Sequence, residues 1–522
     1  MKPASFLLPL AITLGVVAAD SASPNAYTAP RFADPSARRA AFDALLPEID
    51  REFRDFAGKK NYPGLVWGLV LDGVLVHRGA TGFANVGKNI PAAADSRFRI
   101  ASMTKSFTAL AILQLRDAGK LTLGDPVANH VPALARTAPL TADAPAITIR
   151  HLLTMSPGFP EDNPWGDRQL ADSVAELEAF LREGLALSNA PGVAFEYSNL
   201  AYALLGQIIT RVSGQPYQRF ITEKILRPLG MNATVWEFSE VPAAKLALGY
   251  RNRDTASDAP GAWELEPLLH DGTYGAMGGL LTTIDDFARY AALHLAAWPP
   301  RNDPENSIVR RAALREMHLP AMFSGLAAQA KGLDGNPQPA VNAYAYGLGW
   351  AFDSRGVVRV GHSGGLPGFG SNWRFYPDHG FAVISFANLT YAGTGVVNAR
   401  VADLLIEKAR LPRRAQPPSP ILATRTTQVA QLVQTWDRTL AEKIVAENFF
   451  PDRSIESWRT HARETLAKLG AVKSAGAIVP ENQLRGTFPI HGERGRVEVF
   501  FTLTPERDPR VQELRLTFIP KP

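Results

Sequence analysis

Strand-forming sequence falls in two blocks at opposite ends of a long helical stretch, and this split constrains the fold more than any other feature. The first block is a hairpin. Leu65-Val66-Trp67-Gly68-Leu69-Val70-Leu71 and Val74-Leu75-Val76-His77 flank Asp72-Gly73, a two-residue turn whose glycine tolerates positive φ. The second block is a meander of Val357 to Val360, Ser371 to Tyr376 and Phe381 to Phe386. Between them the pattern is mainly helical, at Ile149 to Met155, Val174 to Glu183, Leu200 to Val212, Tyr217 to Ile225 and Ile284 to His294, with loops rich in proline and glycine. A sheet assembled from both ends of one segment, with helices between, predicts an α+β domain.

The flanks complete the organisation. An amphipathic helix is expected from about Ala40 to Phe56, and Val396 to Ala409 reads as a closing helix, so the main domain is expected over 40–411. Pro299 to Asn342 is polar and reads as an irregular surface excursion. Pro412 to Pro420 carries four prolines and reads as a stiff linker. Beyond it, Thr426 to Glu447 and Ser454 to Leu469 look helical, while Val497 to Leu503 and Leu514 to Phe518 look like strands around a turn at Thr504 to Pro509. This predicts a small α+β domain over 421–522, without a catalytic motif. Residues 1–19 read as an export signal: Lys2 is followed by an apolar Phe6 to Ala18, and Val17-Ala18-Ala19 offers a cleavage site before Asp20. An irregular leader over 20–39 and a periplasmic or secreted protein are the expectations.

Composition removes several functional classes. The 55 basic and 50 acidic residues are interspersed and leave a net charge of only +5, so nucleic acid is not an expected partner. There is no cysteine, which excludes thiol catalysis, disulfides and cysteine zinc sites. No two histidines stand four apart around a glutamate as in a zincin helix, and His151 and His294 lie among apolar neighbours as structural residues do. Neither a metal nor a cofactor is expected. After the signal no apolar run reaches a membrane-spanning length, and nothing in the sequence points to an oligomeric state.

Three short patterns carry chemistry. Ser102-Met103-Thr104-Lys105 opens the apolar run Phe107 to Leu115; on a helix, hydroxyl and amine share a face, and an uncharged lysine can take the proton of a serine nucleophile. Tyr197-Ser198-Asn199 stands at the entrance to the helix that begins with Leu200, where a phenol and a carboxamide can face one cleft. Tyr250-Arg251-Asn252 has the same form but leads into loop-like sequence, which makes Tyr197 the better candidate. His362-Ser363-Gly364-Gly365 follows the strand ending at Val360. Read alone it is a glycine-rich turn, but its two glycines also let backbone N–H groups approach a ligand. The loop Phe159 to Gln169, with Glu161, Asp162, Trp165 and Asp167, reads as a solvated loop that could rim a site.

In this order and rough spacing, the three patterns resemble the motifs of penicillin-recognising serine hydrolases, specifically the class C β-lactamase-like family. Phrases such as His151-Leu152-Leu153-Thr154-Met155-Ser156-Pro157-Gly158, Gly278-Gly279-Leu280-Leu281-Thr282-Thr283 and Tyr346-Gly347-Leu348-Gly349-Trp350 extend the resemblance from about Ala40 to Arg410. It implies an antiparallel sheet flanked by helices plus an all-helical region. It also implies roles. Ser102 becomes the acylated nucleophile and Lys105 the base, which requires its pKa to fall from about 10.4 to about 7, roughly 4 to 5 kcal/mol of burial and repulsion. Tyr197 shuttles the proton, and the N–H groups of Ser102 and Gly365 hold the oxyanion. Asn199 bonds a substrate amide, while His362, Ser363 and Gly364 line the pocket.

One departure bears on the substrate. The family's penicillin-binding proteins and β-lactamases usually place lysine where this chain has His362, and a partly charged histidine should anchor a carboxylate less firmly. The resemblance therefore points to D-aminopeptidase-, carboxypeptidase- or esterase-like hydrolysis of small peptides, amides or esters. The other readings are a β-lactamase, an α/β-hydrolase elbow on Gly361-His362-Ser363-Gly364-Gly365 with Ser363 as nucleophile, and a binding module without catalysis.

Overall fold

A computed structural model describes residues 27–253 and 262–521; the expected export signal lies outside these residues. Two compact units are present, Phe32–Arg414 and a second that runs from Ala415 onward and includes Arg31.

The first unit is built on an antiparallel sheet of nine strands. Its order places the early hairpin Gly64–Leu71 and Val74–Asn85 directly beside Phe381–Ala387, Phe369–Tyr376 and Val358–Leu366, so the two blocks of strand sequence do form one sheet. Leu65 to Leu71 pairs in register with Ala387 to Phe381. Asp72 and Gly73 both take positive φ, at 51° and 82°, as the two-residue turn demands.

All eight residues of Gly64–Leu71 are buried because helices cover both faces. Leu65, Trp67, Leu69 and Leu71 pack with Phe53 and Phe56 of helix Leu46–Lys59 and with Val397 and Val401 of helix Gly395–Asp403. Val66 and Val70 face the other way, into the core shared with Phe287 of Ile284–Leu295 and with the helical region. The alternation of one strand thus separates two cores.

Several expectations are corrected. The single helix from Ala40 is two, Pro35–Asp43 and Leu46–Lys59, because Pro47 restarts the helix in its first turn; the leader is therefore already helical from Pro35, with Asp34 capping Ala37 N–H. The excursion 299–342 contains helix Arg311–Met317 and two strands, Met322–Ala327 and Ala340–Tyr344, that extend the sheet. Its burial pattern hides them: Phe323 and Leu326 are over 60% exposed, so no inward apolar alternation marks an edge strand. Tyr250–Asn252 is a strand paired with Trp263–Leu265, and the loop-like sequence that follows it, Asp254 to Asp258, lies outside the described residues.

The second unit holds helices Pro420–Thr435, Arg438–Ile444 and Ile455–Ala467 and a sheet of five strands, where two were expected. The expected helix 426–447 breaks because Trp436 turns left-handed at φ 49° and Asp437 caps a new helix through Leu440 N–H. None of the described helices is long and apolar enough to cross a membrane.

Candidate functional site

Ser102 sits in a tight turn, Ala101–Thr104, that leads into helix Lys105–Asp117. Ala101, just before it, is left-handed at φ 49°, a conformation that costs a non-glycine residue about 1 kcal/mol or more and must be held by its surroundings. The strand Val358–Leu366 does much of the holding. His362-Ser363-Gly364-Gly365 is not a turn but the end of this strand, paired through Ser363↔Asn372 and Gly364↔Ser371. A Cβ at Gly364 would lie 2.2 Å from Ile100 O and 3.0 Å from Ala101 Cβ, so glycine is required here for close approach. Ser371 Oγ fastens the same carbonyl, Ile100 O, at 2.7 Å.

Lys105 is fully buried, and its Nζ has three neighbours: Ser102 Oγ at 3.0 Å, Asn199 Oδ1 at 2.7 Å and Met277 O at 3.1 Å. Two of the three are neutral acceptors without a proton. They hold two N–H bonds of an uncharged amine and leave its lone pair directed at the Ser102 hydroxyl. Burial lowers the pKa of Lys105 to about 7 against the opposing charges of Asp167 and Asp162. The Tyr197 phenol faces Ser102, and its ring centre lies 4.9 Å from Lys105 Nζ. Burial raises its pKa well above that of a free phenol, so it remains protonated. The two environments differ in sign: the amine can lose its proton near neutral pH and the phenol cannot.

Asn199 does not sit as expected. It is fully buried, its Oδ1 accepts from Lys105, and its Nδ2 donates to Asn163 Oδ1 at 2.6 Å and Asp167 Oδ1 at 3.1 Å. Both N–H bonds are occupied, so none remains for a substrate amide; the side chain positions the lysine instead. The supporting acids come from the loop read as solvated. Asp162, 9% exposed, accepts from Ser198 Oγ, Asn199 N–H and Leu200 N–H at 3.1, 2.6 and 2.8 Å, at the first turn of helix Asn199–Ser213. Asp167, 2% exposed, also accepts from Tyr391 Oη at 3.0 Å, and burial raises its pKa to about 6. Two acids spaced among Trp, Pro and Gly carry no helix or strand period, so only their destination identifies them.

Ser102, Asp167, Tyr197, His362, Ser363, Gly364 and Gly365 line one cavity of about 540 Å³. His362 accepts or donates at Nε2 to Tyr344 Oη at 2.9 Å, and burial lowers its pKa to about 3. The shift favours the neutral ring near pH 7, where partial charge was expected. Ser363 is exposed, with Asn372 Nδ2 donating to its Oγ at 2.9 Å, and its strand runs through a hairpin into Phe369–Tyr376. No helix follows it, so the nucleophile-elbow reading fails on topology. Tyr250 takes no part in this cavity; its hydroxyl accepts from Val86 N–H at 2.8 Å. Among the described residues no cluster of His, Asp and Glu is arranged to hold a metal.

Comparisons with known proteins give the family and the fold. Residues 49–407 match the family described as Beta-lactamase. Protein flp of Staphylococcus aureus (strain NCTC 8325 / PS 47) is 30% identical over 348 residues, 66% of this chain; the chain spans only 63% of that relative's length. Penicillin-binding protein 4 of Amycolatopsis lactamdurans is 27% identical over 411 residues, covering 76% of this chain and 96% of the relative. In fold, the chain is similar to an octameric penicillin-binding protein homologue from Pyrococcus abyssi, with TM-score 0.55, 22% identity and coverage of 90% and 99%. It is likewise similar to a class C beta-lactamase, with TM-score 0.54, 20% identity and coverage of 69% and 96%. A family match over more than half of the sequence decides the matter: this chain belongs to the Beta-lactamase family.

Proposed function

We propose that this protein hydrolyses small peptides, amides or esters through an acyl-enzyme on Ser102, in the manner of a D-aminopeptidase, carboxypeptidase or esterase. The observation that carries the reading is the Lys105 amine, held by two neutral acceptors with its third direction on Ser102 Oγ. Lys105 takes the hydroxyl proton as Ser102 Oγ bonds to the substrate carbonyl carbon, giving a tetrahedral oxyanion. The N–H groups of Ser102 and Gly365 hold that oxyanion. Tyr197, kept protonated and facing Ser102, passes a proton to the leaving group as the carbon-heteroatom bond breaks and regains one from Lys105. Water then attacks the acyl carbon, with the same pair returning the proton to Ser102.

A dedicated β-lactamase is the second reading, and neutral His362 disfavours it, since no cation stands at that position to draw a carboxylate. An extracytoplasmic site of action is part of the proposal and rests on the N-terminal sequence. The test compares p-nitrophenyl esters, D-amino-acid amides and nitrocefin with wild type and Ser102→Ala, together with mapping of the residue labelled by a fluorophosphonate. Ester or amide turnover lost in Ser102→Ala, with the label on Ser102, is expected. Nitrocefin turnover far above the others would favour the β-lactamase. Turnover unchanged by Ser102→Ala would remove the catalytic assignment and favour a binding module.

A further inference from the structure

Beside the catalytic cavity runs a second groove of about 230 Å³, which shares His362 and Ser363 with it and continues over Arg359, Arg374 and Asn342. Arg359, Gly361 and Ser363 alternate on one face of their strand, and the register sets Arg374 opposite Gly361 and Asn372 opposite Ser363. Two arginines therefore project from the same face of paired strands. Neither has a carboxylate partner. Arg359 reaches only Asn342 Oδ1, at 3.5 Å; Arg374 donates to Asn372 Oδ1 at 3.3 Å and Gly395 O at 2.8 Å, and its Nη1 is buried with no partner. The neighbouring acids Asp353 and Asp403 are held by Arg355 at 2.7 and 2.9 Å. Asp353 and Asp403 act on Arg359 through space, yet their ion pairs are made to Arg355, so both groove guanidinium groups keep N–H donors that an incoming anion can engage. Burial and the Arg374 charge hold the Arg359 guanidinium below its ordinary pKa, against the opposing pull of Tyr376, Asp353 and Asp403.

We propose that this groove is an anion subsite that receives a carboxylate carried on the leaving group of the substrate, remote from the scissile carbonyl; the inference rests on the hydrolase reading above. The side is set by Tyr197, the proton donor to the leaving group. Its ring lies 6.1 Å from that of His362, whose Nε2 meets Tyr344 Oη, and both His362 and Tyr344 line the groove. The reach is set by the strand: Ser363 and Arg359 stand four positions apart, about 13 Å along the chain. A carboxylate close to the scissile bond meets neutral His362, whereas one on a longer tether meets Arg359. The enzyme thus selects by the distance between carbonyl and charge.

The test uses acetyl thioesters of mercaptoacetate, 3-mercaptopropionate and 6-mercaptohexanoate, each against a methyl-terminated thioester of equal length. Thiol release is read with a disulfide reagent, to which this cysteine-free protein contributes no background. The expected result is a kcat/KM advantage of tenfold or more for the 6-mercaptohexanoate ester, little for the mercaptoacetate ester, and a decline of the advantage with salt. Arg359→Gln should abolish the advantage without changing the methyl-terminated ester, and Arg359→Lys should retain part of it. An absent advantage, one that survives in Arg359→Gln, or an equal fall for charged and uncharged esters would overturn the subsite. Calorimetric titration of Ser102→Ala protein with hexanoate separates the two proposals. Binding that Arg359→Gln removes supports the subsite even where no thioester is turned over, a result that counts only against the hydrolase reading. No binding of hexanoate counts against the subsite.

Discussion

Asn199 turns its amide oxygen to Lys105 Nζ at 2.7 Å and both of its N–H bonds away, to Asn163 and Asp167. The amide is thus oriented by the acid behind it and presents a neutral acceptor to the amine. Asn199→Asp replaces that acceptor with a carboxylate, which favours the charged lysine. The expected outcome is an acid limb of kcat/KM moved upward by a pH unit or more and a rate at pH 7 at least tenfold lower, with partial recovery at high pH. A profile that falls uniformly without moving would mean that Asn199 does not set the lysine's charge.

The wild-type profile follows from the same amine. With the Lys105 pKa lowered to about 7, the neutral form gains as pH rises through that value and is complete about a unit above it. Ester turnover should therefore climb from pH 6 to 8 and then level. Lys105→Met should lower it by about 10²- to 10⁴-fold, the usual contribution of a positioned base. An acid limb that persists at 7 in a residually active Lys105→Met protein would assign the titration to another group.

Lys105 also makes a stability statement. Its folded pKa lies below its unfolded one, so between about 7 and 10.4 the unfolded chain binds more protons and stability rises with pH. Below pH 7 the penalty is at its full size, roughly 4 to 5 kcal/mol from the displaced pKa. Denaturant midpoints of wild type and Lys105→Met should thus converge toward, or cross in favour of, the wild type as pH rises from 6 to 10. A difference constant over that range would contradict a lysine held neutral.

What the sequence made legible and what it concealed divide along physical lines. Ser102 and Lys105 are one helical turn apart, and Tyr197 and Asn199 flank a helix start, so local spacing announced them. The hairpin at Asp72-Gly73 and the buried meander carry strong alternation and turn chemistry, so the sheet could be read. Met322–Ala327 escaped because an edge strand need not hide its side chains, and Ala340–Tyr344, second from that edge, because it is short and its buried residues do not alternate. Asp162 and Asp167 escaped because a carboxylate in a loop looks the same whether it faces solvent or a buried lysine. The assignment of Asn199 to substrate failed because only coordinates reveal which neighbours already use its N–H bonds. The strand character of His362 to Gly365 was masked by glycines, chosen here for the approach of Ile100 and Ala101 rather than for a turn.

Asp162 links the loop to the helix that carries Asn199. Its carboxylate accepts from Ser198 Oγ and from two backbone N–H groups, and charge-assisted bonds of this kind contribute about 1.5 to 3 kcal/mol. Asp162→Ala should destabilise the protein by about 2 to 4 kcal/mol and lower kcat more than the loss of stability accounts for, because Asn199 loses its anchor. Calorimetry and turnover at a temperature where both proteins are folded provide the check. Full kcat in folded Asp162→Ala protein would show that the helix start holds without the loop.

A buried histidine pair far along the chain from these motifs bears on acid stability. His294 Nδ1 and His318 Nε2 are 2.7 Å apart, and Trp298 Nε1 donates to His318 Nδ1 at 2.9 Å. With that donor in place, a neutral His318 carries its proton on Nε2 and gives it to His294, and no carboxylate is bonded to either ring. Burial lowers the pKa of His294 to about 3 and that of His318 well below the ordinary value. Each folded ring binds fewer protons than the unfolded one, so stability is fully present above about 6.5 and is lost as pH falls below it. At pH 5 the loss from His294 alone is about 2 kcal/mol. The midpoint of urea unfolding should therefore fall between pH 7 and 5, and His294→Phe, which keeps the ring packing against Tyr290 and Trp373, should make that fall smaller. An unchanged slope in His294→Phe would move the acid sensitivity to the other buried histidines, His362 and His379, whose pKa values burial likewise lowers to about 3.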